Sequence, residues 1–231
     1  MEWILCTLRF KSGNARYKFK LVHFDNPEFP VVKGETYTGH SLNSLEKAED
    51  ELGSVLWLDA INLFLPFVCS DVPKTRRDSL SLLCLGEGTG ACGIGMSSTK
   101  IFHRTVITDL EPLLPLLQLN ASINASCEAS TLDWMNRATF FNDSKNSQNF
   151  DIVVGCEVLY GNRFAWPDLM GTILDSCRDS NSIVYICVTL RNARLDLEDF
   201  WNEYLSKNFT SISEISLSLN VAVIRATGLV R

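Results

Sequence analysis

Leu82-Leu83-Cys84-Leu85-Gly86-Glu87-Gly88-Thr89-Gly90 decides how this chain is read. An apolar run ends in three glycines spaced two apart, and Ala91-Cys92-Gly93-Ile94 then opens a helix. A buried strand, a glycine bend and a helix N-terminus together form a cradle for a nucleotide-like cofactor. Glycine lets the backbone turn sharply and admits a ligand where a Cβ would collide.

Strand and helix patterns alternate outward from that bend. Leu80–Leu85, Arg104–Thr108, Glu128–Leu132, Asp151–Gly155 and Ile183–Thr189 read as strands. Helices are expected over Val55–Leu65, from Gly90 to Ser97, and over Leu113–Asn124, Asp168–Ser176 and Leu195–Leu205. Pro66 lies close to the end of the first of these, Ser70–Ser79 reads as a charged linker, and Arg137–Asn149 reads as a polar loop. Thr210–Leu217 and Val221–Thr227 close the chain as an antiparallel hairpin. Such alternation argues for an α/β fold with a mostly parallel, helix-covered sheet. Upstream, Ile4–Phe10 and Tyr17–Phe24 flank the turn Lys11-Ser12-Gly13-Asn14, an N-terminal hairpin. Asp25–Asp50, with Pro27, Pro30, Gly34 and Gly39, is an irregular connector. The expected division is residues 1–53 for hairpin and connector and 54–231 for the main domain.

Composition narrows the function. The chain has 231 residues, 46% hydrophobic and 21% charged, which suits a globule with a full core. A net charge of -6 and an isoelectric point near 5.1 disfavour binding a phosphate backbone, so no nucleic-acid partner is expected. Lys74-Thr75-Arg76-Arg77 is the compact basic cluster and reads as a solvated linker. Arg16, Lys18 and Lys20 alternate along an expected edge strand, where they discourage association. The eight cysteines form no C-x-x-C pair and no ligand-like set with His23, His40 and His103, so they read as reduced thiols and no metal is expected. Nothing resembles an N-terminal leader or a bilayer span. The expectation is a monomer in the cytoplasm, with the nucleus as a second compartment.

Two frames fit the glycine bend. Gly88-Thr89-Gly90-Ala91-Cys92-Gly93 matches the dinucleotide pattern G-x-G-x-x-G, with Asp109 at the spacing of a ribose-binding acid. Gly86-x-Gly88-x-Gly90 equally resembles the methyl-donor loop of S-adenosylmethionine enzymes. Asp109 supports adenosine binding in both, or simply caps the next helix.

Three further segments separate the frames: Val55-Leu56-Trp57-Leu58-Asp59-Ala60, Leu132-Asp133-Trp134, and Asp151 through Tyr160. Together with the bend they resemble the seven-strand, S-adenosylmethionine-dependent protein methyltransferases of methyltransferase family 16, most of which modify lysine. The resemblance runs from Ser54 to Phe209. It implies a Rossmann-like, seven-stranded class I methyltransferase sheet, S-adenosylmethionine as cofactor and a protein substrate. It also implies roles. Trp57 matches a tryptophan beside the cofactor, Gly86, Gly88 and Gly90 match the loop beneath it, and Gly93 matches close helix packing. Asp109 matches the ribose-binding carboxylate; Asp133 and Trp134 match the pair near the adenine. Cys156 and Glu87 complete the cofactor-side candidates. Glu157 and Tyr160 fill the outer positions of the D-x-x-Y motif at the mouth of the target channel and are the catalytic candidates. Asn120 and Asn124 match a family spacing but read as helix-end residues. Arg191-Asn192 and Phe200 match only loosely.

Two departures stand out. Cys84 occupies the position of an acidic residue that holds the donor's amino end, and Glu87 is the nearest carboxylate to stand in for it. Glu157 replaces aspartate, which lengthens the arm but keeps the acid. Trp57 and Trp134 are also readable as core aromatics, and Tyr160 as a loop cap. The alternatives are a histidine or arginine acceptor, a catalytically weak interaction module, and a nicotinamide-dependent oxidoreductase, which leaves Asp133-Trp134 and Glu157-x-x-Tyr160 unexplained.

Overall fold

The computed structural model describes residues 3–25, 34–38, 45, 48, 52–73, 75, 79–125, 127–144, 146 and 149–230, apart from the side chains of 191 and 192. Most of the expected connector, and Lys74, Arg76 and Arg77 of the basic cluster, lie outside the described residues, as do the side chains of Arg191 and Asn192.

The core is a seven-stranded sheet in the order β6-β5-β4-β7-β8-β10-β9. Its members are β4 (Leu80–Leu85), β5 (Phe102–Asp109), β6 (Glu128–Thr131), β7 (Ile152–Cys156), β8 (Ile183–Thr189), β9 (Phe209–Ser216) and β10 (Val221–Leu229). The first five are parallel, and β10 pairs antiparallel with both β8 and β9. This is the Rossmann-like class I methyltransferase sheet. Chain order reverses at β4, which has β5 on one side and β7 on the other. In open α/β sheets ligands bind beyond the strand C-termini at such a switch point.

The six residues of β4 are all buried because the sheet is covered on both faces. Leu82 and Cys84 join one apolar cluster with Phe64, Ile94, Tyr185 and Cys187, while Leu83 and Leu85 join another with Trp166, Ile173, Leu197 and Phe200. Alternation of side chains across a strand sorts them this way.

The first face is covered by α1 (Leu58–Asp71) and α2 (Ala91–Ser98). Helix α1 runs beyond Pro66 and takes in the first residues of the expected linker. Proline inside a helix costs about 3 kcal/mol, yet Ala60, Ile61, Phe64, Leu65, Val68 and Cys69 form one buried stripe spanning it. Burying the last turn outweighs the proline penalty. The opposite face carries α5 (Trp166–Ser176) and α6 (Leu190–Phe200). Helix α6 starts immediately after β8, earlier than expected, and continues through a π turn over Trp201–Leu205 into α7 (Ser206–Asn208). The expected 137–149 loop contains a helical turn, α4 (Ala138–Phe141), because Phe140 is buried against the second cluster.

At the N-terminus β1 (Trp3–Ser12) and β2 (Ala15–Phe24) form the expected hairpin, with the short β3 (Glu35–Thr36) on the far side of β1. Phe10, Phe19 and Leu21 share the first apolar cluster, so the hairpin buries its inner face against the main core. Helix α3 (Leu114–Asn124) anchors the outer edge of β2. Asn120 accepts from the Val22 N–H at 2.7 Å and donates to the Val22 carbonyl at 2.8 Å. Asn124 does the same for Lys20, at 3.0 and 2.7 Å. The helix-end reading of Asn120 is therefore corrected: its buried amide stands in for a strand edge. It also donates to the Thr89 carbonyl at 2.8 Å, tying the hairpin to the glycine bend.

Candidate functional site

Gly86, Gly88 and Gly90 all have positive φ, at 59°, 57° and 81°. The bend needs glycine for space as well as for conformation. A Cβ on Gly88 would collide with the Gly53 carbonyl, in the 3-10 turn Leu52–Ser54 that lies across the loop. A Cβ on Gly86 would stand 3.0 Å from Val158 and 3.4 Å from the Trp134 ring. The turns leaving two strands and the 3-10 turn ahead of Leu58 thus converge on the bend.

Asp109, at the end of β5, aims its carboxylate at this loop. Oδ2 accepts from the Gly88 N–H at 2.7 Å and Oδ1 from the Leu110 N–H at 2.8 Å. Asp133 caps the turn that presents Trp134, accepting from the Met135 N–H at 3.0 Å and the Asn136 side chain at 2.7 Å. Trp57 stands at the start of α1, half-buried, and its indole N–H donates to the Leu52 carbonyl at 3.3 Å. Glycine bend, terminal carboxylate and flanking indoles at the switch point fit the adenosine part of S-adenosylmethionine.

Glu87 behaves differently from the other acids. Its side chain turns inward, where Oε2 accepts from the Gly93 N–H at 2.9 Å and caps α2. Burial pushes its carboxyl up to about 8, against the Gly93 hydrogen bond and with help from the nearby Cys156 and Asp109. The neutral acid therefore prevails at pH 7. The Cys84 thiol beneath it hydrogen-bonds to it and is itself pushed well up, first by burial and then by Glu87. Glu87 thus occupies the core under the bend as a capping group and supplies little charge there.

Glu157 leaves the C-terminal end of β7 at φ 61°, a left-handed conformation rare outside glycine, asparagine and aspartate. The conformation swings the carboxylate toward β8. Oε1 accepts from the Thr189 N–H at 2.8 Å and from its hydroxyl, and the Glu157 N–H donates to the Cys187 carbonyl at 2.8 Å. Backbone strain of about 1–3 kcal/mol is the usual cost of such a residue. Val158 and Leu159 bury their side chains, and Tyr160 emerges 62% exposed. Buried Asn162 shapes this loop: it accepts from the Tyr160 N–H at 3.2 Å and the Trp166 indole at 3.3 Å, and donates to the Val158 carbonyl at 3.1 Å. Asp196 of α6 secures the loop from outside through the Gly161 N–H and Arg163.

A cavity of about 470 Å³ opens beside Thr189, lined also by Asp59, Asn62, Leu63, Ser218 and Asn220. Leu52, Leu110, Met135, Tyr160, Phe164 and Leu219 are large apolar side chains exposed on segments at this same end of the sheet, Phe164 at 83% and Leu219 at 97%.

The structure thus gathers Gly86, Gly88, Gly90, Asp109, Trp57, Asp133 and Trp134 around the bend, with Cys156 and Glu157 at the exit of β7. Sequence reading did not single out Thr189 or Asn162. Both are common polar residues at element ends; Thr189 takes its meaning from Glu157, 32 residues away, and Asn162 from the local loop it folds.

A family profile described as lysine methyltransferase matches residues 37–208, well over half of the chain. The chain belongs to this family. Mouse protein-lysine methyltransferase METTL21E is 24% identical over 201 residues, covering 84% of this chain and 78% of the mouse protein. A human sequence described as a methyltransferase-like protein 21E pseudogene is 27% identical over 197 residues, covering 82% and 69%. Among solved structures, human N-acetylserotonin methyltransferase in complex with S-adenosylmethionine superposes at a TM-score of 0.53 with 14% identity, over 74% of this chain and 52% of that one. The PH0226 protein from Pyrococcus horikoshii gives 0.52 with 14% identity, over 73% and 89%. These likenesses establish the fold. The family member described here is an S-adenosylmethionine-dependent methyltransferase.

Proposed function

We propose that the chain methylates a lysine amine of a protein substrate. One observation carries the reading. A strained glutamate, fixed by Thr189 of the cavity lining, leaves the same end of the sheet that carries the glycine bend and several exposed apolar side chains. The family match and the mouse relative, itself a protein-lysine methyltransferase, support it.

When bound, S-adenosylmethionine supplies a methyl group already activated on a sulfonium. The chain's own task is positioning. Gly86, Gly88 and Asp109 hold the adenosine end, and Trp134 closes over the bend. Glu157 accepts hydrogen bonds from the incoming amine and fixes its approach, because in-line transfer needs reacting atoms aligned at near-attack distance. A lysine amine has a reference pKa of about 10.4 and transfers as the neutral form; desolvation favours that form. Tyr160 and the exposed apolar side chains exclude water around the amine, and Asp59 and Asn62 in the cavity suit flanking cationic or polar groups.

Tritiated S-adenosylmethionine, the purified chain and a cell lysate provide the test, with peptide mass spectrometry locating the label. Label on lysine supports the proposal; label confined to histidine or arginine changes the acceptor. A second reading rests on Cys84 and neutral Glu87: a methyltransferase-fold interaction module with little donor affinity. Absence of donor binding at millimolar concentration would favour it.

A further inference from the structure

Three thiols meet beneath the cofactor cradle, and the transfer chemistry uses none of them as a nucleophile. Cys156 is the last residue of β7, and Cys187 is its register partner on the parallel neighbour β8. In-register residues on adjacent strands lie about 4.8 Å apart, inside the roughly 4.4–6.8 Å Cα window of a disulfide. Their side chains point to the same face, into the cluster shared with α2. Cys92, in the first turn of α2, covers both. Cys92 and Cys187 are buried, whereas Cys156 keeps part of its surface in solvent.

The thiols hydrogen-bond to one another. Donation from Cys187 and then Cys92 pulls Cys156 below the ordinary thiol value, against its own burial. The same bonds, together with burial, push Cys92 and Cys187 up. A thiol that accepts from two others is the one biased toward thiolate, and its donors stay protonated. Among the described residues, no group of three or more His, Cys, Asp and Glu side chains is set to hold a metal.

We propose that Cys156 is a peroxide-reactive thiol and Cys187 its resolving partner, a modification site at the point where Glu157 leaves the sheet. The Cys156 thiolate attacks one oxygen of hydrogen peroxide; the O–O bond breaks, hydroxide leaves and a sulfenic acid forms. The Cys187 thiol then attacks that sulfur, the S–O bond breaks, and water carries away the hydroxyl and a proton. In sum two thiols lose two electrons and two protons, and one peroxide becomes two waters. The resulting bond would staple the two residues that frame the Glu157 turn, whose N–H already donates to the Cys187 carbonyl.

Treating the purified full-length chain with less than one equivalent of hydrogen peroxide, then blocking with N-ethylmaleimide and mapping peptides by mass, tests this. The expected product is lighter by two hydrogens, joins the Cys156 and Cys187 peptides, and reverts with dithiothreitol. Cys156 should be consumed at least about tenfold faster than Cys127, which has comparable exposure. In Cys187→Ser, dimedone should trap the sulfenic acid on Cys156. Oxidation of Cys156 no faster than Cys127 would overturn the proposal, as would a bond from Cys156 to Cys92 or dimedone on another cysteine. The wild-type mapping stands even if the serine variant folds poorly, and it reads no methyl transfer, so it fails or succeeds independently of the proposed function.

Discussion

Strand β7 has a carboxylate at each end, and the two lead different lives. Asp151, just before the strand, is 3% exposed and fully engaged: it accepts from the Ser81 N–H at 2.9 Å, the Ser81 hydroxyl at 2.8 Å and Arg178 at 3.1 Å. Its backbone is unstrained, and Arg178 in turn reaches Ser81 and the Asn149 carbonyl. Glu157, just after the strand, sits in a left-handed conformation, bonded to Thr189 of the cavity lining, with an exposed tyrosine three residues on. Five strand residues thus separate a carboxylate that holds the sheet together from one held under strain at its reactive end. Charge satisfied by many donors stabilises; charge aimed by strain is available for function.

The comparison breaks most sharply by deleting each carboxylate. Glu157→Ala should lower methyl transfer by about 10²–10⁴-fold, with donor affinity close to wild type and a smaller loss of stability than Asp151→Ala. Asp151→Ala should do the reverse. It leaves Arg178 and Ser81 without their acceptor and should cost about 2–4 kcal/mol, read as a melting-temperature drop of about 5–15 °C, with activity per folded molecule retained. Equal losses of stability in the two variants would erase the distinction.

A second satisfied polar group extends the comparison to the hairpin. Asn120→Ala strands the Val22 N–H and carbonyl and should cost about 2 kcal/mol, measured by denaturant midpoint. Strain has the opposite sign: Glu157→Gly, which accepts positive φ freely, should be more stable than Glu157→Ala by up to about 1 kcal/mol, with transfer lost in both.

The last effect concerns Glu87 and vanishes at low pH. Between its ordinary value of 4.5 and about 8 the folded chain keeps a proton that the unfolded chain releases. Stability from this group therefore falls as pH rises through that window. Glu87→Gln should barely change the melting temperature near about pH 5 and raise it by about 10 °C or more near about pH 9. An equal shift at both would mean that the carboxyl titrates normally.

The sheet was legible because two-sided burial writes an unbroken apolar run: the expected Leu80–Leu85 and Ile183–Thr189 are β4 and β8 to the residue. The glycine bend was legible too, since no other residue suits three positive-φ positions at that spacing. What escaped depends on partners distant in the chain. Pro66 reads as a stop until the core packs the turn beyond it. Asn120 reads as a helix end until β2, 98 residues away, presents its edge. Thr189 gains meaning only when β8 lies beside the exit of β7. Glu87 has the composition of a compensating charge, but its inward rotamer and burial make it a neutral cap.

The most direct test is calorimetric titration of S-adenosylmethionine into the wild type, Asp109→Ala and Glu157→Ala, alongside transfer to a labelled protein substrate. Wild type and Glu157→Ala should bind with the same affinity, Asp109→Ala at least about tenfold more weakly, and only Glu157→Ala should bind normally without transferring. A wild-type chain that takes up no donor, or a Glu157→Ala variant that methylates at full rate, would contradict the account.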